Sequence, residues 1–252
     1  MRNLLEQTRG IVDELARCGE ACEGVKTHKA RGIIPRSIYL HNYNVGSGGV
    51  NAVVIGQNPG PARDEEEKQL GVAGEKGTTV SAFYEGFFRN HVIKRPRDYY
   101  WRYYHLILFV ISNTVLRNEP NPSVYFTNLY KCENEGGGKN PPPSTYEYCW
   151  LKWLSREFEA LDDFADWSRT PVFLIGKTVQ KRGMYIREFE NIYRLPHPTR
   201  QFSNKDEEHF CKYFKSSRDE DDRVRGLSNG LEEKEITARA KTYIKTHLDN
   251  GG

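Results

Sequence analysis

Residues 50–61, VNAVVIGQNPGP, contain the stretch that decides the fold. The first six residues are rich in β-branched side chains, and such a run bounded by a turn is typical of a buried parallel strand. The turn GQNPGP at 56–61 combines two glycines with two prolines, so we expect a rigid loop with exposed backbone N–H groups. This loop directs Asn58 into the cleft at the edge of the sheet. The stretch therefore predicts a strand that enters a functional loop.

Three further strands are predicted downstream, at 124–129 (VYFTNL), 171–175 (PVFLI) and 192–195 (IYRL). Helical segments separate them, and this alternation indicates a three-layer α/β/α fold with a central, mainly parallel four-stranded sheet. Ligands of such sheets collect at the carboxyl ends of the strands. Three polar segments fall there: GQNPGP, TNLYKC at 127–132 and HPTRQ at 197–201.

The helices are predicted from apolar side chains that recur at helical spacing. They cover residues 3–17, a segment through Phe83 and Phe87, 99–115 and about 145–161. We expect the acid-rich stretch 62–79 to be a polar connection between the first strand and the helix that follows it.

The domain organisation follows from a change in composition near residue 215. Residues 1–215 are predicted to form one domain, with a last helix at 204–215. Residues 216–230, SSRDEDDRVRGLSNG, have the composition of an exposed linker. We expect residues 231–248 to form a peripheral helix.

Composition and charge limit the locations and the partners that we expect for this protein. The chain has 252 residues and a formal net charge of +3, which permits a local nucleic-acid-binding patch without indicating one by itself. Its longest apolar run, 106–111, is far shorter than the roughly 20 residues of a membrane-spanning helix. The N-terminus carries charges throughout, unlike a secretory signal. We therefore expect a cytoplasmic monomer that binds no membrane.

The three polar segments, in this order, resemble the uracil-DNA glycosylase superfamily. GQNPGP is similar to the first motif of that superfamily, in the GINPG and GMNPGP forms, and LPHPTR at 195–200 is similar to its second. FTNLYKC at 126–132 resembles the strand end TN-x-VKC of the iron-sulfur, family 4-like branch. The resemblance implies a DNA partner and the removal of a base from DNA. It covers roughly residues 10–215.

The resemblance also implies residue roles that the chemistry supports. Cleavage of an N-glycosidic bond leaves an anionic base and an oxocarbenium-like sugar. Asn58 is expected to orient the attacking water, and His197 to donate a hydrogen bond to the developing oxyanion. An amide cannot act as a general base, so Asp64, Glu65 or Glu66 are candidates to assist, although this acidic run favours a solvated face.

Recognition of the base and of the DNA falls to other members of the motifs. Asn128 is expected to pair with the pyrimidine edge, with either orientation of its amide open. Gln57 and Phe83 are also expected to contact the base. Pro198, Thr199 and Arg200 are expected to approach the DNA backbone or the gap left by the extruded base.

Four of the five cysteines match the iron-sulfur branch in order. Cys18 and Cys22 end the first helix, Cys132 follows the strand end, and Cys149 comes sixteen intervening residues later. Four thiolates suit a structural [4Fe-4S] cluster, and they could also hold zinc or remain buried thiols. Cys18 and Cys22 are separated by three residues where the family has two. Cys211 is left over and is expected to lie in a core.

One departure from the family leaves the substrate open. The segment 69–75, QLGVAGE, lacks the phenylalanine that stacks on the flipped base in the family, unless Phe83 or Tyr84 replaces it. Stacking of this kind contributes about 1 to 3 kcal/mol per base. The excised base could therefore be uracil or a bulkier modified cytosine, hydroxymethylated or glucosylated, of viral DNA in antiphage defence. A non-catalytic nucleic-acid-binding protein is a further alternative, which the presence of both Asn58 and His197 disfavours.

The product is expected to be an abasic site. No lysine occupies a motif position suited to Schiff-base chemistry, so strand cleavage by a lyase step is not predicted.

Overall fold

A single sheet of five strands organises the computed structural model, which describes residues 4–26, 39–41, 49–59, 64–94, 123–135, 140–183 and 189–195. The strand order is β1-β3-β2-β4-β5. The strands are β1 (Tyr39–His41), β2 (Ala52–Gly56), β3 (Val124–Asn128), β4 (Val172–Ile175) and β5 (Ile192–Leu195).

Four of these strands, β2 to β5, are the four that the sequence predicts, and they run parallel. The expected α/β class with a mainly parallel sheet is therefore confirmed. Strand β1 was not expected. It pairs antiparallel with β3 at one edge of the sheet, and three residues are too few for a period-2 pattern to stand out in a sequence.

Both faces of the sheet are covered, which explains why the strands are continuous apolar runs rather than alternating ones. Successive side chains of a strand point to opposite faces. Val53 and Tyr125 belong to the core cluster that also contains residues of the helices, such as Leu15 and Leu154. On the opposite face, the Phe173 ring stacks on Tyr193 with 5.0 Å between centroids.

Six α-helices flank the sheet within the described ranges. They are α1 (Leu4–Leu15), α2 (Asp64–Glu75), α3 (Val80–Lys94), α4 (Pro143–Cys149), α5 (Ser155–Leu161) and α6 (Lys177–Gly183). Helix α1 packs against both α3 and α5. None of the helices in these ranges is long and apolar enough to cross a membrane.

Helix α2 corrects the expectation that residues 62–79 form a polar connection. Its two interior glycines, Gly71 and Gly74, lower the helix propensity and conceal the helix from pattern analysis. Glu66 lies in the first turn of this helix, where an acidic side chain complements the helix dipole. Packing against α3 then completes the helix.

The predicted helix at 145–161 is present with an interruption. Between α4 and α5 lies a π-helical turn, Trp150–Leu154, in which the Ser155 N–H donates to the Trp150 carbonyl. Helix α4 begins after Pro142 with Pro143 at its first position, where a missing N–H costs nothing.

Several predicted elements lie outside the described residues: the helices at 99–115, 204–215 and 231–248, the linker at 216–230, the domain boundary at 215 and the side chain of Cys211. They stay predictions.

The core predicts a sharp contrast between two leucines of the π-helical turn. Leu154 is fully buried and Leu151 is 69% exposed. Leu154→Ala is expected to lower the free energy of unfolding by about 2 to 5 kcal/mol, because it leaves a cavity in the core. Leu151→Ala should change it by less than about 0.5 kcal/mol. Urea denaturation of both variants measures the contrast, and equal effects would contradict this packing.

Candidate active site

The ends of β2 and β3 lie side by side at the carboxyl edge of the sheet. Gly56 is opposite Asn128 in the parallel register. The pairing continues past the strands, because the Leu129 N–H donates to the Gly56 carbonyl at 2.8 Å and the Tyr130 N–H to the Gln57 carbonyl at 3.1 Å. The structure thus brings the GQNPGP loop and the strand end that carries Asn128 into direct contact.

Asn128 is a buried amide with an unmet donor. Its side chain is 3% exposed, and Nδ2 has no hydrogen-bond partner among the described residues. Leaving a buried donor unpaired costs about 1 to 3 kcal/mol, so such groups are rare in folded proteins outside functional sites. The Asn128 Nδ2 donor is therefore available to an acceptor atom of a ligand.

Gly56 makes room for this amide. A Cβ atom at residue 56 would lie 2.5 Å from Asn128 Oδ1, closer than side chains tolerate. The first glycine of GQNPGP is therefore required by the neighbouring strand end. The sequence suggested a turn requirement, whereas the structure shows a packing requirement.

Asn58 is held in one orientation by its own loop. Its Nδ2 donates to the Pro59 carbonyl at 2.8 Å. Since only the amide nitrogen can donate to a carbonyl, Oδ1 is the atom left to accept a hydrogen bond. A half-buried acceptor of this kind can orient a water molecule without taking its proton.

Gln57 ties together the loops that follow three neighbouring strands. Its Nε2 donates to Asn140 Oδ1 at 2.7 Å and lies 3.4 Å from the Tyr130 hydroxyl. Asn140 in turn donates to Thr178 Oγ1 at 3.3 Å, at the start of α6. The loops after β2, β3 and β4 are thereby joined in one polar row.

A buried ion pair beneath Asn128 was missed in the sequence. Lys131 Nζ lies 2.7 Å from Glu157 Oε1, and both side chains are fully buried. Lys131 also donates to Thr127 Oγ1 and to the Asn128 carbonyl, both at 2.8 Å. The signal that could have revealed it is the lysine within FTNLYKC, three residues after Asn128.

The carboxylate of Glu157 serves several partners at once. Thr127 Oγ1 donates to its Oε2, and the Tyr125 hydroxyl lies 3.3 Å from the same oxygen. Burial raises the pKa of Tyr125 well above its usual value, and the nearby Glu157 charge raises it further. Tyr125 therefore stays a neutral donor to this carboxylate.

The other predicted residues near the site have contacts of their own. Phe83 stacks on Phe87, with 5.5 Å between ring centroids, and packs edge-on against Tyr84. These contacts lie within helix α3, so a stacking role of Phe83 on a base stays a prediction. Glu66 is only 6% exposed and accepts a hydrogen bond from the Tyr84 hydroxyl at 3.1 Å. The expectation of a solvated acidic face is therefore wrong for Glu66.

The three segments that carry Cys18 and Cys22, Cys132 and Cys149 are tied to one another. Val25, just after Cys22, forms an antiparallel bridge with Asn134, just after Cys132. Thr145 Oγ1 of α4 donates to the Glu23 carbonyl at 2.9 Å. Lys152 of the π-helical turn pairs with Glu20, between Cys18 and Cys22, at 2.8 Å.

The thiols share one environment. Cys149 is buried, and Cys18, Cys22 and Cys132 pack against the same core cluster. Burial raises the pKa of Cys149 to about 12, opposed by the charge and a main-chain hydrogen bond of Lys131. The charges of Cys22 and Cys18 also raise it, so these thiols lie within electrostatic range of one another. Burial likewise raises the pKa of Cys22.

Four cysteine thiolates have the chemistry that a [4Fe-4S] cluster requires. Within the described ranges, no three or more His, Cys, Asp or Glu side chains form a group that could hold a metal ion. A zinc site needs four ligands within about 2.3 Å of one ion, whereas a four-iron cluster is larger and holds its sulfurs further apart.

The second motif lies just beyond the described residues. His197, Pro198, Thr199 and Arg200 all fall outside them. Strand β5 runs parallel to β4 and ends at Leu195. The chain therefore leaves the sheet toward these residues from the edge that also carries Asn58 and Asn128.

The comparison with protein families supports what the sheet edge suggests. The family model described as the uracil DNA glycosylase superfamily matches residues 43–218, and the chain belongs to that superfamily. This membership indicates a DNA glycosylase, a hydrolase of base excision repair that binds DNA as its substrate. The matched range includes Asn58, Asn128 and His197. A search of curated proteins found no significant match.

The close approach at Gly56 predicts a loss of function without a loss of fold elsewhere. Gly56→Ala should push the Asn128 amide aside and reduce base excision at least about tenfold, since removal of one aligned hydrogen-bonding group at a site has this order of effect.

The matched control is Gly71→Ala in helix α2, where an added Cβ meets no atom within 4 Å. It should leave excision unchanged and stabilise the protein by about 0.5 to 1 kcal/mol, because glycine is unfavourable inside a helix. Equal activity of the two variants would show that the Gly56–Asn128 contact is unimportant.

Proposed function

We propose that the protein is a monofunctional DNA glycosylase that hydrolyses the N-glycosidic bond of a flipped-out uracil or modified pyrimidine and leaves an abasic site. The observation that carries this proposal is the buried, unpartnered Nδ2 of Asn128 beside the Asn58 loop. The edge of a pyrimidine offers acceptors for such a donor. Membership in the superfamily agrees with this use of the sheet edge.

The chemistry divides between two side chains. Asn58 Oδ1 accepts a hydrogen bond from the attacking water, whose oxygen forms a bond to the sugar C1′. The electron pair of the broken C1′–N1 bond stays on the base, and His197 donates a hydrogen bond to the resulting oxyanion. The proton that the water loses passes to solvent, and the base leaves as an anion that takes up a proton from solvent. Because the Asn58 amide cannot take the proton of the water, turnover is expected to be slow compared with that of a carboxylate-based enzyme.

The DNA is engaged around this edge by a monomer. The target base must leave the stack, which costs a few kcal/mol and is easier in mismatched or single-stranded DNA. Pro198, Thr199 and Arg200 follow the second motif and are proposed to contact the backbone next to the extruded nucleotide. Gln57 completes the contacts to the base.

A bulkier base is the second candidate substrate, favoured by the absence of an aromatic residue in 69–75. These residues belong to helix α2, where Val72 is 44% exposed. Without a stacking ring from this segment, the proposed site would exclude a hydroxymethylated or glucosylated cytosine less strongly. Such a substrate would suit defence against viral DNA rather than repair.

A substrate panel tests both candidates. The purified protein is incubated with oligonucleotides that contain uracil, hydroxymethylcytosine or glucosylated hydroxymethylcytosine, in single and double strands, and abasic sites are then cleaved with alkali. We expect product from at least one of them. Strand breaks without alkali would contradict a monofunctional reaction, and no product from any would favour the non-catalytic binding alternative.

Two variants test the assignment of the site. His197→Ala and Asn58→Ala should each lower the rate of excision by at least about 10²-fold, the usual size of the loss of one oxyanion donor or of a positioned water. The control is Thr178→Ala, which removes an acceptor of the polar row outside the proposed chemistry. Wild-type rates in both site variants would mean that the reaction occurs elsewhere.

We propose in addition that Cys18, Cys22, Cys132 and Cys149 hold a structural [4Fe-4S] cluster. Such a cluster supplies covalent ties between the N-terminal segment and helix α4. The contacts of Glu20, Glu23 and Val25 with the other cysteine-bearing segments support this arrangement. The family match begins at residue 43, so Cys18 and Cys22 lie outside it.

Metal content tests this proposal independently of activity. Protein purified without oxygen should be brown and contain about four irons per chain. Cys132→Ser and Cys149→Ser should lose the iron, whereas Cys211→Ser, which removes the remaining cysteine, should keep it. One zinc per chain, or no metal in the colourless wild-type protein, would overturn the cluster.

A further inference from the structure

The Lys131–Glu157 ion pair lies on the face of the sheet opposite to the Asn128 side chain. Side chains alternate along β3, so Tyr125 and Thr127 point to one face and Asn128 to the other. The ammonium group and its partners Tyr125, Thr127 and Glu157 lie on the first face. A base bound by the Asn128 amide would therefore not touch Lys131.

The ion pair reaches Asn128 through the backbone. An ammonium group has three N–H donors, and all three are used: on Glu157 Oε1, on Thr127 Oγ1 and on the Asn128 carbonyl. The third bond fixes the peptide group that follows Asn128. The next two N–H groups, of Leu129 and Tyr130, are held by the GQNPGP loop. Hydrogen bonds from Lys131 and from the GQNPGP loop thus hold the backbone at Asn128.

The π-helical turn places Glu157 for this contact. In an uninterrupted α-helix, with about 100° of rotation per residue, Glu157 would lie about 80° around the axis from Cys149. The π-helical turn absorbs one extra residue and reduces the offset to about 20°. Lys131 contacts both residues, Glu157 through its ammonium group and Cys149 through its main chain.

A gain in folding stability does not by itself explain a buried Lys131–Glu157 ion pair. Replacing a buried ion pair by neutral groups of similar shape is often neutral or stabilising, because desolvation of the charges offsets their attraction. A role in fixing one backbone conformation is the better explanation here, since the pair places a donor on the residue that carries the unmet Nδ2.

We propose that Lys131 and Glu157 are positioning residues for base recognition: they hold the Asn128 peptide so that its amide meets the pyrimidine edge. This inference rests on the proposed function, in which Asn128 reads the base. It adds Lys131 and Glu157 to the residues of the proposed function, although neither contacts the substrate. It also links the base-reading residue to helix α5, which contains Glu157.

The test uses paired substitutions that leave no buried charge uncompensated. Lys131→Met together with Glu157→Gln removes the donor to the Asn128 carbonyl and keeps an acceptor for Thr127 and Tyr125. The matched control is Arg156→Met together with Glu14→Gln, which removes an exposed ion pair of 2.8 Å that involves the adjacent residue of the same helix.

Kinetics and melting temperature are measured with the base that the wild-type protein excises. The Lys131/Glu157 double variant should melt near the wild-type temperature and show about a tenfold higher KM, which corresponds to about 1.4 kcal/mol. Its affinity for the same DNA without the target base should be unchanged. The Glu14/Arg156 control should match the wild type in all three measurements.

A wild-type KM in the folded Lys131/Glu157 variant would overturn this inference and leave the proposed function intact. Excision of no base by the wild-type protein would instead overturn the proposed function, and this inference with it.

Hydrogen exchange keeps the inference testable if the double variant fails to fold. In the wild-type protein, the N–H groups of Leu129 and Tyr130 should exchange as slowly as those within β3, as measured by NMR. Exchange as fast as in exposed loops would show that the end of β3 is not held, and would overturn the inference.

Discussion

A lysine ammonium group without solvent contact is the constraint on which the centre of this protein depends. A buried charge is tolerated only if it is paired and its donors are satisfied. Lys131 meets this condition with three partners, which belong to β3 and α5. The strand end, the helix and the chain that leads to Cys132 are therefore held in one arrangement. The edge of the sheet that carries Asn128 is built on this support.

The opposite face of the same strand end carries the polar group that is not satisfied. Asn128 Nδ2 is buried without a partner among the described residues, while the amide of Asn58 is already held by Pro59. One strand end thus combines a fully satisfied network on one face with an unmet donor on the other. Rigid support on one side lets the protein keep an unpaired donor buried, at a cost that a flexible loop would avoid by turning the amide to water.

Some features could be predicted because local sequence determines them directly. The β-branched run AVVI at 52–55 favours a strand that is buried on both faces, and the prolines of GQNPGP do not continue it. The four parallel strands and the α/β class followed from such runs and from their alternation with helices. The order of the three polar segments indicated the superfamily, which the family match over residues 43–218 supports.

Other features could not be predicted because the residues that cause them are distant in the sequence. Helix α2 contains two glycines and is completed by packing on α3. The extra residue of the π-helical turn produces no recognisable pattern of apolar residues in the sequence. Glu66 belongs to an acidic run, yet its side chain is buried and accepts a hydrogen bond from the Tyr84 hydroxyl.

The sequence by itself determined the class of fold and the superfamily, because these depend on local pattern and on short motifs. Only the tertiary structure decided that Gly56 must lack a side chain, that Asn128 keeps a buried donor unpaired and that Lys131 pairs with Glu157. Each of these depends on the distance between atoms that are many residues apart in the chain. Such distances are set by how the strands and helices pack, and no pattern within one segment contains them.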